Sequence, residues 1–419
     1  MDMNRRKFLK SLTTSTVAGM AALSGNPFSP RIKLAHAAEG KTLVILFQRG
    51  GCDGLNTVVP YGDNHYYSLR PTIAIAAPDP ANSESALNLN GFFGLHPALA
   101  PLKPFYDANR LAIFPTIHYP EANRSHFSSQ HFIESAYSGN DLDGWVNRYL
   151  QTTPGGGDIR AISFGSRMAQ ALRGDVTVSS IENLTTFNLG IPDAESNRLL
   201  GNLSNVYDQL SSDGRAFRDL VHRFGDRLID DMTALRDIDA SSYQPENGAN
   251  YPGDSTSRQL RQVAQLIKSG IGLEAATVSI GGWDTHSDQG GGNPSGKQYR
   301  VHERFAGGIA AFVTDMGEAM EDVILLTCTE FGRTSAENGS QGTDHGNAST
   351  WFVIGGGVQG GIYGTWPGLA EDQLNRGRYL EMTVDYRDLF GDILEKHMAA
   401  NSLDLILPGY TYSTTGMFG

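Results

Sequence analysis

Two acidic–histidine clusters in this chain combine the residue types and the placement needed to hold a divalent cation. Gly281-Gly-Trp-Asp284-Thr-His286 follows the β-like run 275–280, and Thr343-Asp344-His345-Gly346 comes shortly after the apolar run 323–328. A carboxylate beside an imidazole is a donor set that Zn²⁺ or Mn²⁺ accepts. In open α/β sheets, ligands gather beyond the carboxyl ends of the strands. The chemistry these clusters suggest is metal-assisted hydrolysis.

Further candidates stand at the ends of other apolar runs. Asp53 follows 42–48 through Arg49-Gly-Gly-Cys, Ser125 opens a helix-spaced stretch over 125–136, and Glu330 ends the run that begins at Val323. Each has a plainer reading when taken alone. Asp53 suits a turn, the Asp284–His286 pair suits a loop closed on its own backbone, and Ser125 suits a helix N-cap. Taken together they predict one crevice. Arg49, Arg124 and Arg333 lie beside three of these motifs and suit either a bidentate clamp on a tetrahedral oxyanion or structural ion pairs. His118, His126 and His131 crowd around Ser125. Of these, His126 is the candidate general acid, or a partner that orients a carboxylate. Trp145 and Trp283 read as core residues beside the crevice.

The elements that must position these side chains follow from periodicity. Residues 42–48, 111–117, 273–280, 323–328 and 351–354 are apolar runs of strand length, as expected of strands covered on both faces. Helical spacing appears at 125–136, around 297–320 and at 386–400, and more strongly charged over 193–239, while 241–257 is polar with Pro and Gly and reads as a loop. Strands alternating with helices predict a doubly wound, mainly parallel α/β sheet with helices on both faces, in one domain over 38–419 with a helical and loop insertion at 185–257. Only Cys52 and Cys328 occur, which excludes a disulfide scaffold. They read as buried thiols, or as a pair if their strands are neighbours.

The first residues read as an address. Asn4-Arg5-Arg6-Lys7-Phe8-Leu9-Lys10 is a twin-arginine motif, a short apolar stretch follows, and Ala35-His36-Ala37 suits cleavage after residue 37. The expected partner during export is the twin-arginine translocase, and the expected destination is the bacterial periplasm or cell surface. The stretch is too short and too polar to span a bilayer. The chain carries 33 basic and 45 acidic residues; the leader holds six and one of these, which leaves 27 and 44, a formal charge of −17. That balance argues against nucleic acid and anionic membranes as partners, and it requires a local cation to attract an anionic substrate.

Five ordered motifs carry a family resemblance. Phe47–Asn56, Asn123–Phe127, Gly281–His286, Thr329–Thr334 and Gly342–Gly346 resemble the DUF1501 family of exported bacterial proteins, itself distantly similar to the alkaline phosphatase/sulfatase superfamily. The resemblance implies an alkaline phosphatase-like fold, one or two divalent ions (Zn²⁺, Mn²⁺ or Ca²⁺), and a Ser nucleophile at a helix N-terminus. Position by position, it implies that Ser125 is the nucleophile; His126, Arg49 and Arg333 are expected to assist catalysis from their placement beside the motifs. Asp284, His286 and His345 resemble the ligands of one metal, and Asp53 resembles the carboxylate ending the first strand. Glu330, with Asp344 as its rival, would help hold a second ion. The implied substrate is a small-molecule or glycan ester of phosphate or sulfate. Asp284 and His286 stand closer together than that superfamily's ligands usually do. This spacing favours an alternative, a non-catalytic cell-surface or glycan-binding protein that keeps the fold.

Overall fold

A computed structural model describes residues 40–419, apart from 121–122, 138–142, 156, 187–192, 210–224, 226, 236–237 and 239–241. The export signal expected over 1–37 and part of the 185–257 insertion lie outside the described residues.

The first strand, β1 (Thr42–Arg49), is buried along almost its whole length and occupies the middle of the principal sheet. Successive side chains of a strand point to opposite faces. Leu43, Ile45 and Phe47 therefore join one apolar cluster, while Val44 and Leu46 join another on the far side. This is why the run lacks the polar alternation of a half-exposed strand. The other strands are β2 (Leu111–His118), β3 (Ala161–Phe164), β4 (Ser179–Ile181), β5 (Ala275–Gly281), β6 (Val323–Thr329), β7 (Ser349–Gly355), β8 (Gly361–Ile362) and β9 (Val384–Asp385). Their spatial order is β8-β2-β7-β6-β1-β5-β3-β4, with β9 also on β2. Strands β6, β1, β5, β3 and β4 are mutually parallel, and β7 alone runs antiparallel to both its neighbours. The chain leaves β1 toward both sides of the sheet, which makes the fold doubly wound.

Helices cover both faces. On one side lie α3 (Ser255–Lys268) and α4 (Lys297–Met316); Val301, Phe305, Ile309, Phe312 and Met316 recur along α4 at about one-turn spacing and enter the cluster with Val44 and Leu46. On the other side lie α1 (His126–Ser135), α2 (Trp145–Thr152) and α5 (Tyr386–Asp392), contributing Ile133, Trp145, Tyr149, Leu389 and Phe390. Two boundaries differ from the sequence expectation. The polar stretch 241–257 ends earlier, because the Asp254 carboxylate accepts the Ser257 N–H and starts α3 at Ser255. The closing helix stops at Asp392 and continues as a wider π turn over Ile393–His397. No helix among the described residues is long and apolar enough to cross a membrane.

Register decides where chemistry can occur. Arg49 pairs with Gly281, and Gln48 pairs with Thr329, so β1, β5 and β6 end at one level. Their outgoing loops carry Asp53, Asp284 and Glu330. Cys52 and Cys328 also lie near this edge, but both are free and buried, in apolar clusters on opposite faces of the sheet. They are packing thiols, and burial pushes the Cys52 thiol up to about 12.

Candidate metal centre

Close backbone approach brings the loops together. Gly50 has φ +125°, and a Cβ there would lie 2.6 Å from the Asp284 backbone nitrogen. Gly342 passes the His286 carbonyl carbon so closely that its own Cβ would lie 2.4 Å away. Immediately after it, the Thr343 N–H donates to the Thr285 carbonyl at 3.1 Å. Only glycine permits both approaches. They place Asp284–His286 beside Asp344–His345, although some sixty residues separate them in sequence. The chain from β2 reaches the same edge from across the sheet and starts α1 with His126 pointing into the group.

The imidazoles of His126, His286 and His345 converge on the Asp284 carboxylate. His286 Nε2 and His345 Nε2 lie 3.0 and 3.2 Å from Asp284 Oδ1, and His126 Nε2 lies 3.6 Å from Oδ2. The Nε2 atoms of His286 and His345 are 3.1 Å apart. Tetrahedral ligands at about 2.0–2.1 Å from Zn²⁺ stand about 3.3–3.4 Å from one another, so these separations suit donors that share one ion. Ligand atoms of His126, Asp284 and His345 all lie within 4.8 Å of one another, the one such group found among the described residues.

The tautomers follow from the other ring nitrogens. His126 Nδ1 faces Glu330 Oε1 at 2.8 Å, His286 Nδ1 faces Asp344 Oδ1 at 3.1 Å, and His345 Nδ1 faces the Arg124 carbonyl at 2.9 Å. An ionised carboxylate and a carbonyl can only accept, so each Nδ1 donates. Each Nε2 lone pair is thereby left pointing toward Asp284. Two imidazole lone pairs 3.1 Å apart repel unless a positive charge lies between them. Orientation of a metal-binding histidine through its second nitrogen, by a carboxylate or carbonyl, is the usual support for such a ligand. The donor set therefore fits a divalent ion.

The geometry groups these residues differently from the sequence expectation. His126, expected as a general acid, stands beside Asp284 and His345, with its Nε2 3.6 Å from Asp284 Oδ2. Glu330, expected as a ligand, is fully buried behind His126. It accepts from His126 and Gln130 and from the Gly50 N–H, and its other oxygen accepts from the Thr329 hydroxyl. Burial alone pushes the Glu330 carboxyl up, but these hydrogen bonds outweigh it and hold it below its usual range. Asp344, the rival ligand, orients His286 instead and is kept low chiefly by the Asn338 amide and then by His286. The Glu330 hydrogen bond is the main cause that raises the His126 imidazole, and burial lowers that of His345. Around His126 the centre favours positive charge.

Arg333 does not face the crevice as a clamp. Its buried guanidinium is fixed by the Gly51 and Trp283 carbonyls at 2.9 and 3.1 Å and reaches Asp284 Oδ1 at 2.6 Å. Burial pushes Asp284 up, and the charge and hydrogen bond of Arg333 more than reverse this. Arg333 thus positions Asp284. Arg49 also lies away from the cluster, in a bidentate pair with Glu134 at 2.7 and 3.0 Å. Asp53 does not join the ligands either. Its carboxylate is buried and held bidentately by Arg70 at 2.6 and 2.9 Å, because an unpaired charge there would be costly to bury.

Ser125 is exposed and takes the N-cap position of α1. An N-cap serine normally spends its hydroxyl on the helix's first turn. Here it makes no cap hydrogen bond. Ser125 stands between Arg124, whose carbonyl holds His345, and His126, so both of its neighbours are tied to the cluster.

Gln289 escaped the sequence reading. Its side-chain oxygen accepts the hydroxyls of Thr285 at 2.8 Å and Thr343 at 2.9 Å, and its nitrogen donates to Asp53 at 2.5 Å. Thr285 lies between Asp284 and His286, and Thr343 directly precedes Asp344 and His345. Gln289 therefore buckles both loops to the fixed Asp53–Arg70 pair. The available signal was the hydroxyl beside each cluster, Thr285 and Thr343, each needing a buried partner. Gln289→Ala is expected to weaken metal binding by about 10- to 100-fold, measured by competition with a chromogenic chelator. Unchanged affinity would remove this role.

Comparison with known proteins places residues 229–404 in a match to a family model described as a protein of unknown function, DUF1501. That span includes the motifs at 281–286, 329–334 and 342–346. No curated protein matches the sequence. Among solved structures, one similarity is to the integral membrane protein lipooligosaccharide phosphoethanolamine transferase A of Neisseria meningitidis. There the TM-score is 0.36 and the identity 8%, over 84% of this chain and 56% of that one. This chain thus spans little more than half of that protein's length. A protein in the alkaline phosphatase superfamily from Vibrio parahaemolyticus gives a TM-score of 0.32 at 10% identity, over 86% of this chain and 71% of the other. The phosphonate monoester hydrolase of Agrobacterium radiobacter gives 0.34 at 12% identity, over 89% and 79%.

Proposed function

We propose that this chain is an exported, metal-dependent hydrolase of phosphate or sulfate esters, using a single divalent ion. The observation that carries the reading is the convergence of imidazole Nε2 atoms on Asp284, with the uncommitted Ser125 hydroxyl held between two residues anchored to that cluster. His126, Asp284, His286 and His345 would hold the ion. A nitrogen-rich set favours Zn²⁺ or Mn²⁺ over Ca²⁺, which prefers six to eight oxygens. When bound, the ion supplies positive charge that polarises an ester oxygen and lowers the pKa of a nearby hydroxyl.

The protein's own groups do the rest. Ser125 Oγ forms the new bond to phosphorus or sulfur as the bond to the alcohol oxygen breaks. Its proton leaves to solvent, and the departing alkoxide takes one up; water then attacks the phosphorus or sulfur of the seryl ester, the bond to Oγ breaks as phosphate or sulfate leaves, and Oγ takes back a proton. The first-turn N–H groups of α1 face an anion at the helix's positive end. Arg333 keeps Asp284 ionised and oriented, while Glu330, Asp344 and the Arg124 carbonyl fix the imidazoles. On the rim, the Arg124 and Arg378 guanidiniums flank the Tyr379 ring at 4.8 and 5.7 Å, and Arg378 approaches Asp344 at 3.5 Å. These cations supply the local attraction for an anion that the acidic chain as a whole lacks.

The twin-arginine motif at Arg5 and Arg6 supports export through the twin-arginine translocase to the periplasm or cell surface. One experiment tests function and destination together. The protein is isolated from the periplasmic fraction of its native host, its metal is counted, and it is assayed against phosphate and sulfate esters. About one ion per chain with turnover is expected. Metal without turnover on any ester would leave the non-catalytic binding reading in its place, and protein confined to the cytoplasm would overturn the export assignment.

A further inference from the structure

A cleft runs beside α1, and it contains the arginine that the metal centre does not use. Phe127, Gln130, His131 and Glu134 recur at helical spacing and form one wall. Residues of the 163–173 segment face them, and Thr277 and Ser279 of β5 lie at the base. The cleft has a volume of about 450 Å³, within the range of small-molecule sites.

Its chemistry is specific. The Arg49 guanidinium lies 3.6 Å over the Phe47 ring, pairs bidentately with Glu134, and points Nε toward the Ser279 hydroxyl at 3.4 Å. The pair is rigid and nearly neutral, yet each Nη of Arg49 carries a second N–H beyond the one given to Glu134. Such a base offers donors beside hydroxyls that both donate and accept. Phe127 stands at the mouth, 89% exposed, the highest value among the large hydrophobic side chains described. It directly follows the ligand His126, so one helix turn presents an imidazole to the metal centre and an apolar plate to the cleft. A cationic ligand is opposed by Arg167 and Arg173 at the edge. A purely apolar ligand would leave the polar base unsatisfied. A neutral ring with many hydroxyls and a C–H face satisfies every surface.

We propose that this cleft binds a sugar ring, stacked on Phe127 and hydrogen-bonded by Arg49, Glu134 and Ser279. The inference rests on the ester-hydrolase reading for its meaning, since it assigns the ester's alcohol portion to a glycan whose anionic group reaches over the start of α1. Its test does not depend on turnover. Affinity electrophoresis compares the full protein and its Phe127→Ala and Phe127→Trp variants in gels cast with soluble neutral polysaccharides: a β-glucan, a galactan and a mannan. Wild type and Phe127→Trp should be retarded by at least one polymer, and Phe127→Ala should bind it about tenfold more weakly. Wild-type migration unaffected by every polymer would overturn the proposal, as would retardation undiminished in Phe127→Ala. Failure of the hydrolase reading appears separately, as absent metal or absent turnover in a protein that still binds polysaccharide.

Discussion

Ser125→Ala protein is expected to keep its full complement of metal and to lose ester hydrolysis by at least about a thousandfold, the scale on which removal of a nucleophile is felt. None of the hydrogen bonds that orient the imidazoles comes from the Ser125 side chain; it is the Arg124 carbonyl that holds His345. Removing Oγ therefore deletes the attacking atom without loosening the ligands. The hydroxyl makes no cap bond, so α1 loses no stabilising contact and the fold should be unaffected. Metal content and turnover on the best ester of the panel are measured on the same preparation. Full activity in the variant would show that solvent, rather than Ser125, is the nucleophile.

His345→Ala is expected to lose both properties. Its Nε2 lies within 3.2 Å of both His286 Nε2 and Asp284 Oδ1, so its removal opens one corner of the donor set. Loss of a direct ligand should cost more than the 10- to 100-fold typical of an orienting partner, enough to empty the site on dialysis. Asp284 would keep its pair with Arg333, so no buried charge is stranded and the fold should persist. Near-stoichiometric metal in this variant would mean that the ion binds elsewhere, and the proposed centre would fail.

Much of the scaffold is legible in the sequence because strands covered on both faces appear as uninterrupted apolar runs. The β1, β2 and β6 runs are of this kind, and their ends mark the reactive edge. The gathering of Asp284, His286 and His345 could be foreseen from the same logic. Their division of labour with Glu330, Asp344 and His126 could not. A ligand differs from the acceptor that orients it only in which ring nitrogen faces it, and residue type does not encode that. Asp53 misleads for a related reason. Its position at a strand end suits a ligand, but Arg70 engages both its oxygens and Gln289 donates to one of them as well. Arg49 likewise sits beside the right motif while its side chain turns to Glu134 across the helix.

The single reversed strand, β7, has a consequence for how the protein can diverge. A parallel neighbour would have forced the chain after β6 to cross to the opposite end of the sheet before returning. Because β7 runs back from Ser349, the whole stretch from Glu330 to Ala348 enters and leaves at one edge, as an arch with both feet on the site. The feet carry Arg333 and His345, whose bridge fixes them to each other. The crown near Gly339, where an added Cβ would meet no atom within 4 Å, stands clear of the sheet. A residue exchanged or inserted at Gly339 would reshape the rim of the candidate site without shifting strand register. The freedom is narrow, because Asn338 holds the His286 carbonyl and Asp344 while the Ser340 and Gln341 carbonyls accept from Asp288 and Gln289; variation at Gly339 itself is the change the arch tolerates at little risk to folding.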